Sequence, residues 1–329
     1  MSKNLFLLVA LVLGVWGVFG ALDVPKQPYS GYSSDADGLV TEVDEDSPAA
    51  AAGMQVGDQV RSVAGVSMDD SDGQSTLRRA EVGESRTIVV DRGGQEATLD
   101  LTYARSELSF GSYSGILMGV IFLLMGLWSF FKAPHAGTRR LALLGCCVGP
   151  IFLAGPYLGP GFLSNLSAAV VVTGLAMGFA LLFDFVIRSG KPNGYGEGGG
   201  GPAWLYWPAV LVALLFIALV IVQPDADGAF ATMIQFVVGA YFLVYFGGAL
   251  FMVVRNHMKA DAGLRASRGL GMMLAGAVIG LAPLTLAFLV GLLPGDVTIP
   301  GGQYWSFGLV AVPITFALAA VKGGQAERV

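Results

Sequence analysis

Long apolar runs, separated by short gaps that hold most of the remaining charge, leave this chain few ways to fold. About 20 apolar residues cross a hydrocarbon core roughly 30 Å thick. By that measure eight helices are expected, over Leu5–Leu22, Gly111–Phe131, Leu141–Leu158, Leu163–Ile187, Ala203–Val222, Phe230–Val254, Gly269–Leu293 and Tyr304–Val321. The gaps carry breakers and charges, as in Pro134 to Arg140, Gly159-Pro160-Gly161 and Arg255 to Arg268. Only 13% of the 329 residues are charged, against about 25% in a soluble domain. A chain so poor in polar surface must turn its apolar excess to lipid, and a membrane bundle follows.

The charge is unevenly placed. Of 24 acidic residues, 17 lie between Asp23 and Glu107, together with 7 of the 19 basic ones. An acidic segment with the look of a soluble domain is therefore inserted after the first apolar run. Lys and Arg favour the cytoplasmic side of a membrane. With Lys3 placed inside and eight spans crossed, all 12 basic residues outside the insert fall inside, and the insert is exported. The first run reads either as an uncleaved anchor or as a signal peptide with Lys3 as its basic flank. The net charge of −5 offers no basic stripe for nucleic acid. Cys146 and Cys147 are adjacent in an apolar run and give no disulfide framework.

The insert reads as short strands and turns. Ser47-Pro48 can cap and open a helix over Ala49–Ala52, which Gly53 can end. Gln59–Val63 alternates like a strand and closes at Ala64-Gly65; Gly73–Ala80 permits a helix; Arg86–Val90, a Gly93-Gly94 turn and Thr98–Tyr103 complete the pattern. The run Gly38-Leu39-Val40-Thr41-Glu42-Val43, then Ser47-Pro48-Ala49-Ala50-Ala51-Ala52-Gly53-Met54, then Val56-Gly57-Asp58-Gln59-Val60, resembles a bacterial PDZ domain. It departs from that family at Ala64-Gly65, where Asn-Gly is usual, and in a very short connection near Ser34 to Asp37. The resemblance implies a small, partly open β-barrel with two helices that binds an extended C-terminal peptide as an added strand. It also implies a carboxylate-binding loop at Tyr29-Ser30-Gly31-Tyr32, with Ser33 on the ligand-pairing strand and Leu77 on the opposing helix. Tyr29 and Tyr32 would equally suit packing of the domain against the membrane surface, where aromatic residues gather.

The chemistry of an intramembrane enzyme is missing from the apolar runs. No HExxH is present, and both histidines, His135 and His257, lie in basic gaps. Asp184 is the single ionisable residue within a run. It is a functional candidate by default, yet Arg188 four residues on suits a simple ion pair. Glycine pairs at Gly115/Gly119, Gly174/Gly178 and Gly276/Gly280 allow close helix packing.

An anchor, an exported PDZ domain and seven more helices resemble the sensory half of PDZ-containing membrane histidine kinases of the competence quorum-sensing type. Val312-Pro313-Ile314-Thr315-Phe316-Ala317 is similar to the segment preceding their cytoplasmic part, but after Lys322 only a short tail follows here. The expectation is thus an α+β PDZ domain (29–104) between an N-terminal anchor (1–22) and a seven-helix region (110–322), with a cytoplasmic tail (323–329). It would be a multi-pass protein of the inner membrane, a receptor-like or scaffolding protein and not an enzyme. It would need no metal or cofactor, would bind an exported C-terminal tail and the lipid bilayer, and would relay to a cytoplasmic signalling partner. A transporter with a regulatory PDZ domain is the remaining alternative.

Overall fold

The computed structural model describes residues 3–23, 26–35, 38–68, 80–107, 110–153, 155, 162–191, 194, 203–222, 229–291 and 307–326. Helix α1 (Lys3–Asp23) leads into a β-rich unit. Its strands are β1 (Pro28–Tyr29), β2 (Tyr32–Ser34), β3 (Val40–Val43), β4 (Gln59–Val63), β5 (Val66–Ser67), β6 (Ser85–Arg92), β7 (Gln95–Thr102) and β8 (Ala104–Arg105), with helix α2 (Pro48–Ala51) after β3. The main sheet is antiparallel in the order β5-β4-β6-β7, and two ribbons, β2-β3 and β1-β8, complete the unit.

Period-two alternation explains the long strands. In β6, Arg86, Ile88 and Val90 turn inward while Ser85 and Thr87 face solvent; in β7, Leu99 and Leu101 are buried between exposed Thr98, Asp100 and Thr102. The Ser47 side chain accepts from the Ala50 N–H, Pro48 opens α2, and Gly53 at φ +84° leaves it. Val40, Ala49, Met54, Val60, Val63, Ile88, Val90 and Leu101 form a core separate from that of the helices. This unit has its own hydrophobic interior. The second helix expected near Leu77 lies outside the described residues.

Among the described residues, eight apolar helices and one short polar one lie outside this unit. After α1 come α3 (Phe110–Lys132), α4 (Ala136–Phe152), α5 (Phe162–Ser189), α6 (Trp207–Val222), α7 (Ala229–Lys259), α8 (Ala262–Arg268), α9 (Leu270–Gly291) and α10 (Ala311–Ala326). Each expected apolar run is helical where it is described, with ends shifted by a few residues. The short α8 was not expected; it forms in the basic gap because Asp261 caps it and Gly269, at φ +63°, ends it.

Among the described residues, Tyr113–Lys132, Leu166–Ser189, Phe236–Lys259 and Leu270–Ala287 are long and apolar enough to cross a membrane, and Leu8–Gly20 and Trp207–Ala218 are shorter apolar helices. Packing runs α3 on α4, α4 on α5, α5 on α6 and α7, α7 on α9 and α9 on α10, and α10 returns to α3. The glycine pairs sit at these seams. A Cβ on Gly119 would lie 2.7 Å from the Gly149 carbonyl oxygen, one on Gly178 2.7 Å from Val148, and one on Gly280 2.8 Å from the Gly308 oxygen.

Candidate functional site

The strand β2 and the turn before it carry the expected binding residues. Gly31 sits at φ +80°, and a Cβ there would meet the Ser47 Cβ at 2.1 Å. No other residue fits this turn without moving α2. The turn is tied to the start of α2 from two sides: the Ser47 hydroxyl donates to the Gly31 oxygen (3.2 Å), and the Ala49 N–H donates to the Ser30 oxygen (2.9 Å). The same Ser47 oxygen caps α2, so one residue fixes both helix start and loop. Asp44 adds a third tie, its N–H donating to the Gly31 oxygen at 2.8 Å. Its carboxylate accepts from the Tyr29 hydroxyl, and that bond, followed by burial, pushes the Tyr29 hydroxyl up to about 12.

The register of β2 on β3 decides which backbone groups point outward. Tyr32 faces Val43, Ser33 faces Glu42, and Ser34 faces Val40 across a bulge. The bonds Asp44 N–H to Gly31 O and Asp35 N–H to Leu39 O (3.0 Å) mark Tyr32/Val43 and Ser34/Val40 as non-hydrogen-bonded pairs. In such pairs the N–H and C=O groups face away from the partner strand. Tyr32 and Ser34 therefore present an edge that pairs with no strand among the described residues. The Tyr32 ring packs on the domain core, and its burial raises the hydroxyl to about 12. Ser33 is exposed on the other face. Tyr29, Ser30, Gly31, Tyr32 and Ser33 are thus brought together, while Leu77 lies outside the described residues.

Asp58, from the Gly-Asp pair before β4, is 1% exposed. Arg92 grips it with two bonds of 2.7 Å and also donates to the Gly53 oxygen (2.8 Å), while the Gln55 N–H donates to the same carboxylate (2.9 Å). The Arg92 bonds, and then the Gln55 N–H, hold the carboxyl of Asp58 below the usual range. This cluster locks α2 and β4 to the end of β6 and is architectural.

A second polar cluster lies among the helices. Asp184 on α5 is 1% exposed; it accepts from Arg188 Nε (2.8 Å), Arg140 Nε on α4 (2.8 Å) and the Tyr206 hydroxyl before α6 (3.1 Å). Spacing revealed the Arg188 partner alone. Arg140 is 44 positions away in sequence, and no local pattern signals it. Three elements converge on one carboxylate, the arrangement of an interhelical clasp. Among the described residues, no group of three His, Cys, Asp or Glu is placed to hold a metal ion.

The PDZ-domain family model matches residues 39–92, from β3 through β6. No curated protein matches the chain. The matched stretch holds the α2 cap, the Asp58 cluster and the main-sheet strands β4 to β6, while the Gly31 turn and β2 lie just upstream of it. The chain carries a PDZ domain followed by several apolar helices, four stretches of which are long enough to span a membrane.

Proposed function

We propose that this is a receptor-like membrane protein whose PDZ domain captures the free C-terminus of an exported peptide or protein, with no catalytic step of its own. The observation carrying this reading is the open edge of β2 beginning at the glycine turn. A C-terminal carboxylate would sit at the backbone N–H groups of the Gly31–Tyr32 turn, and the peptide would add as a strand along Tyr32 and Ser34. The path to the helices is short. The turn continues directly from β1, β1 pairs with β8, and the Ser106 N–H donates to the Gln27 oxygen (3.0 Å) just before α3 begins. Occupancy at the turn thereby bears on a ribbon that joins α1 to α3, and these two helices touch. Binding shifts the bundle only as far as the ligand discriminates between two of its states.

The test uses the full chain in lipid nanodiscs against an array of peptides synthesised as free acids and as C-terminal amides. Free acids are retained and amides lost; equal retention of both overturns the reading. In the same proposal the helices cross the inner membrane eight times, with the PDZ domain outside and both chain ends inside, on the strength of the basic gaps. A reporter fused after Val329 then reads cytoplasmic, and a periplasmic signal refutes the orientation.

A further inference from the structure

The sequence of the β2–β3 ribbon and its flanks carries charge of one sign. From Tyr29 to Ser47 the chain has Asp35, Asp37, Glu42, Asp44, Glu45 and Asp46 and no Lys or Arg. Among them, Asp44, Glu42 and Asp35 are spread along the length of the ribbon. Asp44 lies at the turn end, where its carboxylate is engaged by Tyr29. Glu42 stands directly across from Ser33 on the exposed face of the ribbon, and Asp35 follows Ser34 at the far end, its Oδ1 accepting from the Leu39 N–H (2.8 Å).

Direction and register follow from the geometry. A carboxylate held at the Gly31–Tyr32 turn puts the end of the peptide beside the start of β2, so the added strand runs antiparallel to it. Its terminal residue lies beside Tyr32, the residue before that beside Ser33, and the third residue before the terminus beside Asp35. Side chains alternate between faces. The first and third residues before the terminus therefore share the exposed face of Ser33 and Glu42. Strands in a sheet lie about 4.8 Å apart, and the small Ser33 side chain leaves a lane across β2 from the ligand to Glu42 on β3.

We infer that the ligand is a C-terminal tail bearing Lys or Arg at the first and third positions before its last residue, read by Glu42 and Asp35. This rests on the proposed peptide-binding reading and adds the charge class of the partner. Acidic tails are disfavoured by the same groups, which gives the site selectivity through like-charge repulsion as well as attraction.

The experiment measures binding of short fluorescent peptides to the full chain in zwitterionic nanodiscs. One sequence with a fixed apolar last residue is made with Lys or with Glu at both positions, each as free acid and as amide, at low and high salt. The Lys free acid binds about five- to tenfold more tightly than the Glu free acid at low salt, two exposed pairs of modest strength being involved. The gap narrows with salt and closes in the Asp35→Asn/Glu42→Gln variant, which keeps the Asn side-chain oxygen available to the Leu39 N–H. Equal binding of Lys and Glu free acids, with amides not binding, overturns the charge assignment and leaves the binding site standing. Equal binding of acids and amides overturns the site itself.

Discussion

Asp58 concentrates much of the local order of the PDZ domain in one carboxylate. It closes the Gln55–Asp58 turn and anchors Arg92, which in turn holds the end of α2 through the Gly53 oxygen. Hydrogen bonds to a charged group contribute about 1.5–3 kcal/mol each, net of their exchange with water. Arg92 keeps 37% of its side chain exposed, so screening discounts the pair, and Asp58→Asn is expected to cost about 2 kcal/mol. The pH dependence has a definite sign. The folded carboxyl is held below its unfolded value, so its stabilisation is full above an unfolded pKa of about 3.9 and is lost as pH falls through the lowered folded value. In urea unfolding of residues 26–107, the gap between wild type and Asp58→Asn stays level from neutral pH to about 5 and closes in stronger acid. A gap that widens in acid contradicts this assignment.

At the scale of elements, the β4–β5 hairpin shows how family pattern and strain meet. Ala64 and Gly65 turn at φ +52° and +79°, the positive values that a tight hairpin turn requires. An alanine in that region carries a cost of roughly 1–2 kcal/mol that asparagine reduces. The PDZ unit has a closed core of its own, and residues 26–107 expressed alone should unfold cooperatively. Ala64→Asn should raise that segment's stability by about 0.5–1 kcal/mol; an unchanged or lower midpoint in urea argues against strain at this turn. The strands and the Ser47-Pro48 helix were readable from the sequence because alternation and capping are local. The pairing of β1 with β8 was not, since a two-residue strand has no periodicity and its paired residues are 75 and 77 positions away.

For the molecule as a whole, Asp184 ties together α4, α5 and the entry to α6, with Arg140 and Arg188 each 12% exposed. Removing the carboxylate leaves two guanidiniums close together in a nearly dry site. Asp184→Ala should therefore cost about 3–5 kcal/mol, read as a large fall in Tm of the detergent-solubilised protein. Replacing all three with apolar residues of similar size, as Arg140→Met, Asp184→Leu and Arg188→Met, should recover most of the loss, because a filled apolar site escapes the desolvation cost of the ions. A triple variant no better than Asp184→Ala shows that the cluster does more than pack helices. His135 supplies a second long-range tie: its Nδ1 accepts from the Gly137 N–H (3.1 Å) at the start of α4 while Nε2 donates to the Ala320 oxygen (3.1 Å) on α10.

Composition and periodicity alone determined the partition into a charged β-rich insert and apolar helices, the positions of those helices, and the strands and helix cap of the insert, while the loop at Gly31 was legible only through the resemblance to PDZ domains. These are properties of stretches a few residues to one helix long, where burial and hydrogen bonding repeat with the period of the element. The tertiary structure alone decided that Ser47 holds the Gly31 turn as well as capping α2, that Tyr32 and Ser34 turn their backbone groups to an open edge, and that Arg140 and Tyr206 join Arg188 at Asp184. Such choices depend on which distant groups the packed chain brings within about 3 Å of one another, and a linear pattern carries no record of that distance.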